Sequence, residues 1–341
     1  MFTDIHFGRR NNSELHNKDC FNFVTWVCSL VTADPSIDHV VFLGDWHELR
    51  NAVNGLTLDY SYRAARLLND LGLPIFFIVG NHDLYFRNNR NVFTTTPFES
   101  LSNFRIIDKI TVVEEMGDKG GVVSPFLFEP EFPQLLQYRD YPVLFGHFEF
   151  KGFVITGDTV TKDHGPDHTL FKSFARIFSG HYHKRQLQDN VAYIGSTFPM
   201  DFSDANDSAR GVGIFDYKTN KLTFIDWEDC PTYVVCKISE VLENPKKFLK
   251  ERCTVKCYVD VDLTHEESIE LRANWIKKYK LRELSLDEGF KMDENLDGDD
   301  SLEGDLVFDS IDNIIETKLN TISVDKIDAK ELVKIYKGLK I

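Results

Sequence analysis

PIFFIVGNHD, residues 74–83, decides the fold. Pro74 opens an unbroken apolar run, Ile75-Phe76-Phe77-Ile78-Val79, of strand length and built from β-branched and aromatic residues. Such a run suits a strand covered on both faces. It breaks at Gly80 into Asn81, His82 and Asp83, three side chains able to bind a metal or move a proton. In α/β folds, functional groups gather at the carboxyl ends of buried strands.

The same arrangement recurs on either side. Val40-Val41-Phe42-Leu43 ends in Gly44-Asp45, and Pro142-Val143-Leu144-Phe145 ends in Gly146-His147. Ile177-Phe178-Ser179 leads into Gly180-His181-Tyr182-His183, and Asp4-Ile5-His6 stands close to the start. Residues 57–72 repeat apolar positions at helical spacing and close on Gly72, a helix C-cap. From 191 to 227 three strand patterns follow one another (VAYIG, GVGIFDY, KLTFIDW). Mixed β/α order followed by consecutive strands predicts an α/β fold, a layered sandwich with two sheets inside, over residues 1–228.

Residues 229–286 read as a small α+β capping domain: strand YVVCKI, helix 240–251, strand CTVKCYVDV, helix 265–279, strand LRELSL. The stretch 287–304 is too polar to pack and reads as a linker. Residues 305–341 read as a helical tail, with apolar stripes at helical spacing in 305–319 and 325–339. A tethered helical pair with an apolar face is a docking device for a partner helix or groove.

Composition bounds the rest. Apolar residues make up 42% of the 341, which excludes global disorder. No apolar run approaches the ~20 residues of a membrane span. The N-terminus lacks a charged segment followed by an apolar one, so no secretory leader is expected. Cys20, Cys28, Cys230, Cys236, Cys253 and Cys257 are scattered without a Cys-x-x-Cys pair. They read as reduced packing residues in a cytoplasm-like compartment, not as a zinc site. The net charge of −15 argues at first against nucleic acid, yet residues 287–316 carry 12 acidic residues and one Lys, a local −11. The remainder sums to −4, so the acidity says little about the surface elsewhere.

The chemistry comes from the strand-end motifs taken together. A glycine before each ligand lets the backbone turn and approach a metal closely. Carboxylate, carboxamide and imidazole without thiolate suit Mn²⁺ or Fe²⁺ better than Mg²⁺ or structural Zn²⁺. The inventory supplies two ions. Asp4, His6 and His183 suit the first and Asn81, His147 and His181 the second, with Asp45 shared between them. Two such ions clamp a phosphate and activate a water at neutral pH. His82 is placed to protonate the leaving oxygen or stabilise the pentacovalent state, and Asp83 to orient His82. Each motif alone is an ordinary turn or core residue; all five, each after a strand, point to a dinuclear site.

This motif series resembles the calcineurin-like metallophosphoesterase superfamily. Asp4-Ile5-His6-Phe7-Gly8 and SGHYHKRQLQDNVAYIGSTFPMDFSDANDSARGVGIFDY are similar to its SbcD-type branch of DNA double-strand-break nucleases. Length, acidic linker and helical tail most resemble the recombination endonuclease subunits of tailed phages. The resemblance covers roughly residues 1–285 well and the tail loosely. It implies a Mn²⁺-dependent 3′→5′ exonuclease and single-strand endonuclease acting in recombination, repair and replication. It also implies dimerisation through nuclease-domain helices, and an SMC-type ATPase whose coiled coil the tail binds. The expected compartment is cytoplasmic, a host's if the chain is phage-encoded. The rival expectations are a phosphomonoesterase or cyclic-nucleotide phosphodiesterase of the same superfamily, and a non-catalytic scaffold regulating an ATPase.

The sequence departs from the pattern where Trp46-His47-Glu48 follows Gly44-Asp45; His47 reads as a residue behind the ligands or on the surface. The first strand is cut short, with only Met1-Phe2-Thr3 before Asp4 where ~5–6 residues are usual, so an upstream start is expected. Arg9, Arg10, Arg50, Arg87, Arg90, Lys184 and Arg185 flank the motifs. Singly each is ordinary surface charge; as a set they suit DNA phosphates. The loop 85–96, mixing Arg, Asn and aromatics, suits a backbone-tracking role.

Overall fold

The computed structural model describes residues 1–287 save 157, 158, 162, 163 and 206. The expected tail helices, and the linker beyond Asp287, lie outside the described residues. Asp287 itself, expected to open the linker, is the last residue of a strand.

Three parallel strands form the first sheet, in the order β1 (Val40–Phe42), β2 (Ile75–Ile78), β3 (Phe104–Ile107). The second sheet draws on β4 (Thr111–Val113), β5 (Gly121–Val123) and β6 (Val143–His147). After a short hairpin, β7 (Val154–Thr156) and β8 (Thr159–Val160), it continues with β9 (Arg176–Gly180), β10 (Gln186–Gln188) and β11 (Val191–Tyr193). Its order is β10-β11-β9-β6-β5-β4, parallel in the middle and antiparallel at both edges. A hairpin of β12 (Gly211–Asp216) and β13 (Lys221–Asp226) follows.

The period-2 alternation of strand side chains builds three layers. Val41, Leu43, Phe76 and Ile78 meet Val123, Phe145 and Phe178 between the sheets. Val40, Phe42 and Phe77 point the other way, onto helices α1 (Glu14–Ala33) and α2 (Gly55–Asn69). Leu144, Ile177 and Tyr193 cover the far face of the second sheet with Phe132, Phe148 and Phe171. Helix α2 runs as expected, and Gly72 beyond it takes the left-handed φ of 72°. Helix α1, N-capped by Ser13, was not singled out from sequence because its first turns bury His16, Asn17 and Asp19 among apolar residues, which blurs the stripe.

Met1–Thr3 do the work of a strand despite their shortness. Phe2 bridges Phe42 in parallel, Asp4 N–H donates to Gly44 at 3.0 Å, and Met1 exchanges two bonds with Gly213. Asp4 and His6 are consequently buried.

The small unit contains β14 (Thr232–Lys237), helices α3 (Ile238–Glu243) and α4 (Pro245–Phe248), β15 (Cys253–Tyr258), helix α5 (His265–Tyr279) and β16 (Glu283–Asp287). Two expectations are corrected here. All three strands are parallel, so the unit is α/β in connectivity rather than α+β. The helix expected over 240–251 breaks at Asn244-Pro245, because proline cannot continue a helix from within. Salt bridges from Arg282 and Arg252 to Asp19 on α1 fasten the unit to the sandwich. All six cysteines are free thiols. Among the described residues no helix is long and apolar enough to cross a membrane.

Candidate metal centre

The strand ends deliver their polar residues to one place. Asp4, His6 and His183 bring ligand atoms together in one group, and Asp45, His147 and His181 in another. His6 Nε2 lies 3.2 Å from His183 Nε2 and 3.8 Å from an Asp4 oxygen. Asn81 Oδ1 lies 2.8 Å from His147 Nε2 and 3.0 Å from His181 Nδ1. Asp45 Oδ2 faces both groups, 3.3 Å from His147 Nε2 and 3.9 Å from His6 Nε2.

The backbone is bent to achieve this. Asp4, His6, Asp45 and His181 all take positive φ (50°, 51°, 61° and 89°). For residues with a Cβ that costs roughly 1–3 kcal/mol each, and such strain gathers at functional sites. The glycines work differently from the simple turn expected of them. Only Gly44 among the four before ligands has a positive φ, 105°. Gly80, Gly146 and Gly180 are instead needed for space, since a Cβ on each would lie 2.2 Å from Asp45 Oδ1, 2.1 Å from the Phe148 ring and 2.0 Å from Thr3 Oγ1.

The donor set fits a divalent cation. His147 Nδ1–H donates to the Leu43 carbonyl at 2.8 Å, so the neutral ring aims its Nε2 lone pair at Asn81 Oδ1 and Asp45. Acceptors meeting acceptors in a buried place need a cation between them. Without one, the protein uses protons. Burial disfavours a charged His147, yet Asp45, Asp4 and the Leu43 carbonyl together outweigh it and lift the imidazole to about 9. Burial also works against an ionised Asp45, but His147 and His82 hold it well below the ordinary carboxylate range. His181 is pushed down to about 3 by burial and then by His147.

His82 stands beside the two groups. Its backbone N–H donates to Asp45 Oδ1 at 2.9 Å, and its ring lies edge-on to His6, centroids 4.9 Å apart. The expected role of Asp83 is corrected. Its carboxylate does not touch His82. It accepts from the backbone N–H groups of Asp45, Trp46, His47 and Gly80, at 2.9 to 3.1 Å, and so clamps one ligand loop onto the other. The backbone carbonyl of Glu48 orients His82 instead, accepting from Nδ1 at 2.9 Å.

Glu48 was not foreseen as part of the site. Its carboxylate lies 2.7 Å from His6 Nδ1, which turns Nε2 of that ring toward Asp4 and His183. The clue was its place three residues after Asp45 in the loop that departs from the family pattern. His47 is buried, bonded to Ser61 and Thr94, and faces away from the ligand groups.

The basic residues divide. Arg9 pairs with Glu48 and Asp201, and Arg10 with Tyr233 and Glu283. Arg90 grips Glu131 with both terminal nitrogens, and Arg185 pairs with Asp226 over the Phe224 ring. Arg50 is half-buried, its field partners are Asp45 and Asp83 on one side and Arg87 on the other, and its Nε meets no hydrogen-bond partner among the described residues. Lys184 is half-buried next to His183. In the 85–96 loop, Tyr85 and Phe86 are exposed and stack edge to face.

A family model described as calcineurin-like phosphoesterase matches residues 1–185. That span holds all the ligand residues. The chain is also similar to exonuclease subunit 1 of Enterobacteria phage T4, 29% identical over 186 residues that cover 53% of this chain and 54% of that protein. It thus spans about half the length of the curated relative it matches.

Proposed function

The chain belongs to the calcineurin-like phosphoesterase family, and on that premise we propose that it is a Mn²⁺-dependent nuclease that cuts the phosphodiester backbone of DNA. One observation carries the hydrolytic part: Asp45 standing between two converging groups of imidazole, carboxylate and amide oxygen. Asp4, His6 and His183 would hold one ion, Asn81, His147 and His181 the other, and Asp45 both. A bound pair supplies charge for the phosphate and a water activated at neutral pH.

The protein's own groups do the remainder. With Nδ1–H held by the Glu48 carbonyl, His82 turns Nε2 to the leaving oxygen and donates from the imidazolium, after Nε2 takes up a second proton that burial disfavours. Glu48 keeps the His6 ring in its ligating orientation. Arg50, half-buried in the field of Asp45 and Asp83, would turn its guanidinium to a phosphate oxygen. Arg9, Arg10, Arg87, Arg90, Lys184 and Arg185 flank the ligand residues in the sequence and would add to this contact, Arg9, Arg10, Arg90 and Arg185 by sharing or releasing the carboxylates they hold.

That the substrate is a nucleic acid rests on the phage relative, whose name makes it an exonuclease subunit, and we take that nucleic acid to be DNA. We extend this to 3′→5′ exonuclease and single-strand endonuclease activity. The word subunit in that relative's name supports an assembly of more than one chain; we extend this to an SMC-type coiled-coil ATPase docked on residues 305–341 and to nuclease domains pairing as a homodimer. End-labelled duplex and single-stranded DNA incubated with Mn²⁺, against p-nitrophenyl phosphate esters, tests the substrate. Turnover of the esters with intact DNA would overturn the nuclease reading. Truncation after Lys291, which spares β16, should leave DNA cleavage and remove ATPase binding.

A further inference from the structure

Between the buried residues Leu84 and Thr95 the chain leaves the sandwich as a narrow loop. Its stem is a short antiparallel ladder. Thr94 N–H donates to Asp83 at 2.8 Å, Tyr85 N–H donates to Val92 at 3.0 Å, and Leu84 bridges Phe93. The returning limb is fastened as well. Arg90 holds both Glu131 oxygens, at 2.6 and 2.7 Å, and donates to the carbonyls of Phe126 and Asp108 at 2.9 and 3.2 Å. Its guanidinium also lies 5.3 Å from the centre of the Phe128 ring.

Both attachments bear on the metal centre. The stem begins at Asp83, next to His82, so Tyr85 stands three residues beyond the leaving-group histidine, at most about 10 Å along the chain. Arg90 ties the other limb to the segment carrying Phe126, whose ring centroid lies 6.1 Å from that of His181 and 6.2 Å from that of His147. In the turn between, exposed Arg87 acts on Arg50, which also feels the charge of Asp45.

This braced loop holds two aromatic rings in water. Tyr85 is 49% exposed and Phe86 41%, with ring centroids 4.8 Å apart, and among the described residues no other Phe, Tyr or Trp is exposed. Every other described aromatic ring is at least partly buried, so this pair is set apart by position and by surroundings. Charge selects what covers it. Arg87 follows Phe86 directly and Arg50 stands near, which suits a polyanion whose own rings are flat and polarisable.

Resting on the nuclease reading above, we propose that Tyr85 and Phe86 form a stacking platform for unpaired bases of the DNA strand whose phosphate enters the metal centre. Any base suffices, because each offers a π face. Bases inside a duplex are already stacked on both faces, so the platform favours single-stranded or frayed DNA over an intact double strand.

The test uses the full chain and two double variants, Tyr85→Ala/Phe86→Ala and the conservative Tyr85→Trp/Phe86→Trp. The ligands are an oligothymidylate of about twelve nucleotides and a strand of equal length made of tetrahydrofuran abasic sites, with the same phosphates and no bases. Affinities are measured with Ca²⁺ in place of Mn²⁺, and cleavage with Mn²⁺. The alanine variant should bind oligothymidylate roughly 10- to 100-fold more weakly, and the tryptophan variant should bind it as the parent does. Affinity for the abasic strand and Mn²⁺ occupancy should stay unchanged in both. Undiminished oligothymidylate binding by the alanine variant would overturn the platform and leave the rings to a protein contact; Mn²⁺-dependent cleavage by that same variant would keep the nuclease reading standing. Equal losses on both strands would also overturn the platform, by showing that the rings brace the loop and touch no base. If the parent protein neither binds nor cuts either strand yet hydrolyses bis-p-nitrophenyl phosphate, the nuclease reading fails and the platform with it.

Discussion

Asp45 faces both ligand groups, and it does so from a left-handed backbone at φ 61° with its N–H held by Asp83. Replacing it removes negative charge from the point where both groups of lone pairs converge. Asp45→Ala is expected to lose both ions, and metal analysis reads this directly; two Mn²⁺ retained per chain would rule out the shared role. His82 is different in kind. Its ring is fixed by a backbone carbonyl and its contact to Asp45 runs through its own N–H, which any residue supplies. His82→Gln should therefore keep full metal occupancy and bind DNA, while single-turnover cleavage slows roughly 10²–10⁴-fold, the usual contribution of a general acid. Loss of metal in that variant would show the ring to be a ligand.

At the scale of elements, the strand ends are held at close quarters. β1 and β2 are each followed two residues on by a glycine, Gly44 and Gly80, and a Cβ on Gly80 would sit 2.2 Å from Asp45 Oδ1 and 2.3 Å from Asp45 N. The loop after β1 cannot retreat, because three of its N–H groups are bonded to Asp83 in the loop after β2. Gly80→Ala should thus destabilise the fold by about 1–3 kcal/mol, as overpacking does, and displace Asp45 as well. Denaturant unfolding together with Mn²⁺ affinity checks both parts. Wild-type stability with weakened metal binding would mean that the loops yield more easily than the Asp83 clamp implies.

For the whole molecule, the small unit is attached through charge. Asp19 on α1 is almost wholly buried and takes both terminal nitrogens of Arg282, with Arg252 nearby at 3.8 Å. Removing one partner of a buried pair leaves the other uncompensated, at a cost of roughly 3–5 kcal/mol. Asp19→Ala is expected to lower stability by that order and to raise protease sensitivity near residues 228–232, the start of the small unit. Unchanged proteolysis and midpoint would show the attachment to rest on the apolar contacts around Tyr233 instead.

Much of this was legible in the sequence because it is local. Apolar runs ending in glycine and a metal-binding side chain report strand, turn and ligand type within six or so residues, and the ligand residues named from them converge in space. The break at Asn244-Pro245 is equally local, since proline inside a helical pattern is itself the signal. What the chain order could not disclose was which distant groups would meet. Asp83 sits next to His82 in sequence, yet a carboxylate binds whatever donors the fold aims at it, and here four backbone N–H groups are aimed at it. Glu48 reaches His6 across 42 positions, and Arg90 finds Glu131 rather than solvent. Sequence by itself determined the elements and the chemistry each strand end carries, because both follow from neighbours along the chain. Tertiary structure alone decided the partnerships, because a hydrogen bond or ion pair depends on distance in space, which only the packed sheets set.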